Sequence, residues 1–358
     1  MEIGSEFWLT EQSHLKANQE SERTLKFKNI SFTSSGRGAI SLVLQQIKPI
    51  AYTVLLPKYI CSSMILPFTE SGYQCIFYDL DEKLNPVLET LEVEQKVGVF
   101  LHLGYFGFNT NNNLREYITK LNEANTIVIE DITHTLFSNF TRHSKNDYYV
   151  ASIRKWMGIA TGGFAASNTH FLLQPIDEQI NFLELRLKGL SLKKMYIESQ
   201  NETLKNSFLN SFNQAELLLD EQSSPYAMDE ASQLFYDNLD VEDLVNKRRE
   251  NYQVLEEGLK NVSFVESLFG DLEGRECPFF YPILIKEVRN EVKKALIDEK
   301  IYCPVHWPIP KVLIENQIID RKNSIYNEIL SIPCDQRYGE QEMSHVVRVI
   351  KKISNRFT

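Results

Sequence analysis

Two acids and a lysine, each at the end of an apolar run, are the residues best placed to do chemistry. Thr126, Ile127, Val128 and Ile129 lead into Glu130 and Asp131, and Tyr148 to Ala151 leads into Ser152 and Lys155. Each run predicts a buried strand, with its polar residues at the C-terminal end, where open α/β sheets receive ligands. An acid and a lysine at the ends of two strands can face one bound molecule. Pyridoxal phosphate needs that pair: an amine to form a Schiff base and a carboxylate to keep its ring nitrogen protonated. Plainer readings stand beside this one. Lys155, next to Arg154, also reads as a solvated surface lysine, and Asp131 as a helix N-cap.

A second stretch bears on the same molecule. In SSGRGAISLVLQQI, Gly36 and Gly38 flank Arg37, and Ala39, Leu42, Val43 and Ile47 follow at helical spacing. A glycine turn at a helix start offers free N–H groups and a positive dipole end, which suits a phosphate; it also suits a plain N-cap.

The elements around these residues follow a rhythm. Strands are expected over 52–57, 75–81 and 97–102, with helices over 62–72 and 114–124 between them. Such alternation predicts a parallel sheet with helices on both faces. Residues 1–35 read as polar and irregular, and 167–224 as helices with solvated charged faces. Two further helices follow. From about residue 262 the pattern becomes strand, helix, strand through CPFFYPILI, VRNEVKKALIDEK and IYCPVH. The expected division is a large unit, 1–240, and a small C-terminal unit, 241–358, with segment 1–30 expected to pack on the small one.

Composition narrows the function. With 358 residues the chain can bury a large core. Its formal charge, 38 cations against 48 acids, is −10, which argues against a general nucleic-acid or membrane-surface binder. No apolar run approaches the roughly 18 residues of a membrane span. The start, MEIGSEFWLTEQ, lacks the basic-then-apolar pattern of a signal peptide. The 5 cysteines are scattered without metal spacing, so no metal site and reduced cytoplasmic thiols are expected.

The 126–166 block resembles the DegT/DnrJ/EryC1/StrS family of sugar aminotransferases, within the aspartate-aminotransferase fold (fold type I) of pyridoxal-phosphate enzymes. The matching residues are Glu130 and Asp131, with His134 three residues later, then Ser152, Lys155 and the pair Gly162-Gly163. The resemblance implies a large domain with a mostly parallel seven-stranded sheet flanked by helices, plus a small α+β C-terminal domain. It implies Lys155 as Schiff-base lysine, Asp131 as partner of the ring nitrogen, His134 beside the ring, and Ser152 on the phosphate. His134 also reads as a core histidine, and Ser152 as a strand-end hydroxyl.

The turn Gly36–Arg37–Gly38 matches the family's phosphate-binding Ser-Gly-Thr-Ala, with Arg37 in place of the small hydroxyl residue. Where the family often has an aromatic ring over the cofactor, this chain has Cys61; Tyr59, Tyr105 and Phe106 are alternative covers. HWPIP (306–310) resembles the family's His-Tyr-x-Pro segment near the substrate. His306 and Trp307 are therefore candidate substrate contacts, with Trp8 and Tyr105. Tyr226 to Met228 stands where the family places an Asn-x-Arg-like segment reaching the neighbouring subunit.

The resemblance further implies a cytoplasmic homodimer with its active site at the subunit interface. It would pass an amino group from an amino acid, L-glutamate, to a keto-sugar, nucleotide-linked, for polysaccharide, glycan or antibiotic assembly. Two alternatives stay open: a same-fold pyridoxal enzyme acting on a cyclitol or amino acid, or by elimination, and a non-catalytic relative.

Overall fold

The computed structural model describes residues 2–9, 26–221, 224–320, 324–354 and 356. In its first half β1 (Ile3–Gly4), β2 (Asn29–Thr33), α1 (Gly36–Gln46), β3 (Thr53–Pro57), α2 (Ser62–Glu70), β4 (Gln74–Tyr78), β5 (Val99–Leu103), α3 (Arg115–Glu123), β6 (Ile127–Asp131), β7 (Tyr148–Ala151) and β8 (Gly163–Ser167) follow one another. Seven of these strands form one sheet in the order β2-β8-β7-β6-β5-β3-β4. Only β8 runs against the rest; it pairs antiparallel with both β2 and β7, and the other pairings are parallel. This is the expected seven-stranded, mostly parallel sheet.

The central strands are apolar on both faces because helices cover both. Alternate residues of β6 enter different cores. Ile129 packs with Leu101, Leu103 and Val150 beneath α1 and α2, whereas Val128 packs with Phe100 and Leu55 beneath α3. Asp131 therefore shares the α1 face and Glu130 the α3 face. That period-two alternation assigns the two adjacent acids to different environments.

After the sheet come α4 (Ile180–Ser199) and α5 (Glu202–Glu221), an antiparallel hairpin, then α6 (Glu230–Asp237) and α7 (Val241–Leu259). The last part holds β9 (Glu266–Ser267), β10 (Tyr281–Leu284), α8 (Arg289–Asp298), β11 (Ile301–Tyr302), α9 (Lys311–Glu315), α10 (Ile325–Glu328), β12 (Ile329–Ile332) and α11 (Glu340–Ser354). Strands β12-β10-β9 make an antiparallel sheet with its own core, built from Ile283, Leu330, Val292, Tyr252 and Met343 among others. β1 pairs in parallel with β11, Ile3 opposite Ile301, and so ties the start of the chain to its C-terminal part.

Two expectations are corrected. Residues 1–35, read as irregular, contain β1 and β2; both gain their order from distant partners, Ile301–Tyr302 and Gly163–Ser167, that local composition does not reveal. Residues 168–179, read as helix, are not helical, and α4 starts only at Ile180. Pro175 explains the delay, since it disfavours helical geometry in the residue before it and has no N–H to donate.

Candidate active site

The site begins where β6 and β7 end. The two are parallel neighbours, with Asp131 opposite Val150, so Asp131 and the Ser152–Lys155 turn emerge side by side. β8 returns next to β7 and β2 next to β8, which brings the start of α1 to the same edge. Close approach there requires the glycine pair. A Cβ on Gly163 would lie 2.4 Å from the carbonyl carbon of Ser35 and 2.7 Å from Gly36 N. Gly162 (φ +157°) donates its N–H to Ser34 O at 2.8 Å, and its own carbonyl accepts from Ile153 N–H at 2.9 Å and Arg154 N–H at 3.2 Å. Gly162-Gly163 thus fastens the lysine turn to the helix start.

At that helix start Ser35 is the N-cap, its hydroxyl accepting from Gly38 N–H at 3.1 Å, and the first turn carries no acid. Gly36 faces Ser152, whose Cβ would be 3.0 Å from a Cβ on Gly36. Ser34, Ser35 and Ser152 are all buried, and Ser34 Oγ has no hydrogen-bond partner among the described residues. Arg37 turns away: its guanidinium bonds Asp220 of α5 at 2.7 Å.

Asp131 is buried, and Thr133 N–H donates to its Oδ1 at 2.7 Å. Burial pushes its carboxyl pKa up, against the pull of the Thr133 bonds and the positive charge of Lys155. Thr133 is itself clamped. Its carbonyl accepts from Trp156 Nε1–H at 2.7 Å, and its hydroxyl accepts from Ser152 N–H at 3.0 Å. His134 is buried against Phe279, ring centroids 4.5 Å apart, with Trp307 at 5.4 Å. Its Nδ1 accepts from Phe106 N–H at 3.2 Å, which leaves Nε2 to carry the proton of the neutral ring. Burial, with His306 and Lys155 nearby, holds His134 well below the ordinary histidine pKa. His306, bonded through Nδ1 to Ser331 Oγ at 2.8 Å, is lowered to about 3 by burial and by Lys155.

Lys155 is half-buried and opens onto a cavity of about 690 Å³ that Cys61, Glu216, Phe280, His306 and Trp307 also line. That volume suits a cofactor-sized ligand with its substrate. Cys61, at the start of α2, has its Sγ 2.9 Å from Ser63 Oγ. Tyr59 packs on Trp307 at 5.1 Å, and Tyr105 donates to Tyr59 O at 2.5 Å from a buried position. Trp8 stands elsewhere, in a neighbouring cavity of about 470 Å³ against Arg337 and Tyr338. Phe7 borders both spaces. The structure therefore gathers Lys155, Cys61, His306 and Trp307 around one cavity. Asp131, His134, Ser152, Gly36 and Gly38 lie outside that lining, as do Trp8, Tyr105 and the Arg37 side chain; of these, His134 packs on the lining residues His306 and Trp307.

One wall had no signal in the sequence. Arg154 grips Glu216 of α5 with both nitrogens, at 2.8 and 3.3 Å, and Arg186 of α4 reaches Glu6 at 3.3 Å. Burial would raise the Glu216 pKa, but Arg154 and Arg186 hold it down to about 2. The position of Arg154 next to Lys155 was the one available hint.

A rear clamp holds the His134 turn. Arg142 donates to Glu130 Oε1 at 2.9 Å, to Thr135 Oγ1 at 2.9 Å and to Thr135 O at 2.7 Å. Asn146 donates to Glu130 Oε2 at 2.7 Å and contacts His102 Nε2 at 3.2 Å. Arg142→Met strands the Glu130 carboxylate, whose side chain is only 5 % exposed. The expected loss is about 3 kcal/mol in urea unfolding. A loss below about 0.5 kcal/mol, the scale of a solvated surface pair, contradicts the clamp.

The residues fit pyridoxal phosphate. A partnerless buried hydroxyl and a glycine cradle at a helix start suit its phosphate, a buried carboxyl its ring nitrogen, and Lys155 its aldehyde.

The sequence profile of the DegT/DnrJ/EryC1/StrS aminotransferase family matches residues 235–351. No curated protein matches by sequence. Among solved structures, the sugar aminotransferase CalS13 of Micromonospora echinospora superposes with a TM-score of 0.65 at 15% identity, over 95% of this chain and 94% of its own. PseC of Helicobacter pylori, an aminotransferase in the biosynthesis of pseudoaminic acid, gives 0.65 at 15%, over 98% and 99%. Spr1654 of Streptococcus pneumoniae, in its PLP form, gives 0.67 at 14%, over 96% and 93%. At such identities the superpositions establish the fold.

Proposed function

We propose that the chain is a pyridoxal-phosphate aminotransferase of the DegT/DnrJ/EryC1/StrS family and that it moves an amino group from L-glutamate to a nucleotide-linked keto-sugar. The observation that carries this reading is the meeting of Lys155, Asp131 and the Gly36 turn at the ends of β7, β6 and β2. When bound, the cofactor supplies an electron sink for the bonds at the substrate's reacting carbon. Ser152 and the N–H groups of the Gly36 turn hold its phosphate. Asp131 keeps the proton on its ring nitrogen, and His134 offers Nε2–H to its phenolic oxygen. Lys155 holds its aldehyde carbon and, once released, takes the proton from the donor's α-carbon and returns it as general base and acid. Trp307, Phe279 and Phe280 keep water from the proton transfer.

The charges of the cavity suit an anionic acceptor. Its wall carries four cations, Arg154, Lys155, Lys293 and Arg337, against two carboxylates, Glu6 and Glu216, in a chain of net charge −10. This favours a sugar joined to a nucleotide phosphate, as in surface-glycan or secondary-metabolite assembly. The same reading divides the chain near residue 240 into a cofactor-holding unit and a small unit. It pairs two copies through the exposed apolar residues Phe171, Ile176, Ile180, Leu217 and Leu234, of which Ile176 is 90% exposed. No helix of the described residues is long and apolar enough to cross a membrane.

Adding L-glutamate to the cofactor-loaded protein, with no acceptor, is expected to release one equivalent of 2-oxoglutarate and bleach the absorbance of the lysine-bound cofactor. A loaded protein that ignores glutamate but releases an oxoacid from another amino acid replaces the donor. Inertness toward every amino acid refutes amino transfer.

A further inference from the structure

Most charges around the Lys155 cavity are neutralised within the chain. Arg154 is bidentate on Glu216. Arg337 is bidentate on Asp335, at 2.7 and 2.9 Å, and lies over the rings of Phe7 at 4.1 Å and Trp8 at 4.9 Å. Glu6 is taken by Arg186, and the Tyr302 hydroxyl by Lys205 at 2.7 Å. Among the described residues, two cations lining the cavity have no carboxylate partner: Lys155, which the cofactor engages, and Lys293.

Lys293 belongs to α8, and Ile297, one turn later, lines the same cavity. Lys293 is partly buried, and its charge acts on the thiol of Cys303, which is buried and also borders the cavity. An ammonium on the cavity lining with no carboxylate partner of its own is open to an anionic oxygen brought by a ligand.

We propose that Lys293 is a substrate-binding residue that receives an anionic group, carboxylate or phosphate, of the molecule reacting at Lys155. The proposal rests on the aminotransferase reading for the identity of that molecule but not for its own test. A carboxylate would come from the amino donor, a phosphate from the nucleotide of the acceptor. Because the two substrates use the cavity in turn, one cation can serve either.

The test is calorimetric titration of the cofactor-loaded protein with two unreactive probes, glutarate and inorganic pyrophosphate, for the wild type, Lys293→Met and Lys293→Arg. Methionine keeps the apolar stem on a half-buried helix position, and thermal melts check that the variants are folded. The expected result is a Kd raised about tenfold or more for at least one probe in Lys293→Met, and recovered in Lys293→Arg. Loss confined to glutarate assigns the donor carboxylate, and loss confined to pyrophosphate the acceptor phosphate. A wild type that binds neither probe, or a Lys293→Met variant whose Kd values stay within about twofold, overturns the assignment. Neither readout depends on turnover, so a failure of amino transfer leaves this result standing and a failure here leaves amino transfer standing.

Discussion

Lys155→Ala is expected to leave a folded protein that binds pyridoxal phosphate reversibly and turns over at least about 10⁴-fold more slowly than the wild type. On the proposed function two tasks are lost together: the covalent hold on the cofactor and the general base beside the donor's α-carbon. Three other cations or bases of the lining are engaged or neutral. Arg154 and Arg337 are locked on carboxylates, and His306 is held neutral and bonded to Ser331. Lys293 lines the same cavity from α8, in the C-terminal part of the chain. Borohydride reduction followed by peptide mass mapping reads the first task directly. The wild type should retain the cofactor's mass on the peptide holding Lys155, and the variant on none. Mass trapped at another lysine in the wild type would refute the assignment.

Asp131→Asn should separate function from stability. A buried acid that must be ionised to hold a ring-nitrogen proton is a burden until that partner arrives. Amino transfer is expected to fall by about 10²-fold or more, since a neutral amide cannot hold the charge. The cofactor-free variant is nonetheless expected to melt at least about 2 °C above the cofactor-free wild type at pH 7. The sign follows from the raised Asp131 pKa. Below the unfolded value both states are protonated and there is no cost. As pH rises, the unfolded chain ionises first and the folded state loses stability, until the folded carboxyl ionises too and the loss is complete. The advantage of Asn is therefore present at neutral pH and absent in acid. Bound cofactor reverses it, because the protonated ring nitrogen favours the ionised carboxylate. Thermal melts at pH 4 and pH 7, with and without pyridoxal phosphate, give all four quantities. A cofactor-free variant that melts lower than wild type at pH 7 contradicts the net cost of ionising the buried Asp131.

The part of the site legible from the residues alone lies within single strands and the turns that follow them. β6 reads as buried because Ile127, Val128 and Ile129 leave it no polar face, and a polar end on such a strand has a direction in any parallel α/β sheet. Gly36 and Gly38 were legible as a helix-start turn with free N–H groups, whereas Gly162-Gly163 entered only through the family resemblance. Where Pro175 interrupts an apolar pattern, periodicity alone misled, because it registers side-chain spacing and not a missing backbone donor.

By itself, then, the sequence determined the strand rhythm, the lysine, the acid and the helix-start turn, all short-range patterns of side chain and glycine that retain their meaning before the chain folds. Only the tertiary structure decided which residues share the cavity. Glu216 reaches Arg154 because the α4–α5 hairpin folds back over the sheet, Arg37 is drawn off by Asp220, and Trp8 is held by Arg337 in the space next door. Tertiary contacts also decided the electrostatics: burial sets Asp131 up, while Arg154 and Arg186 set Glu216 down against its burial, though both are carboxylates in the same chain. Those outcomes depend on contacts between segments far apart in sequence and on how much water each charge loses. Neither quantity is carried by the local order of residues.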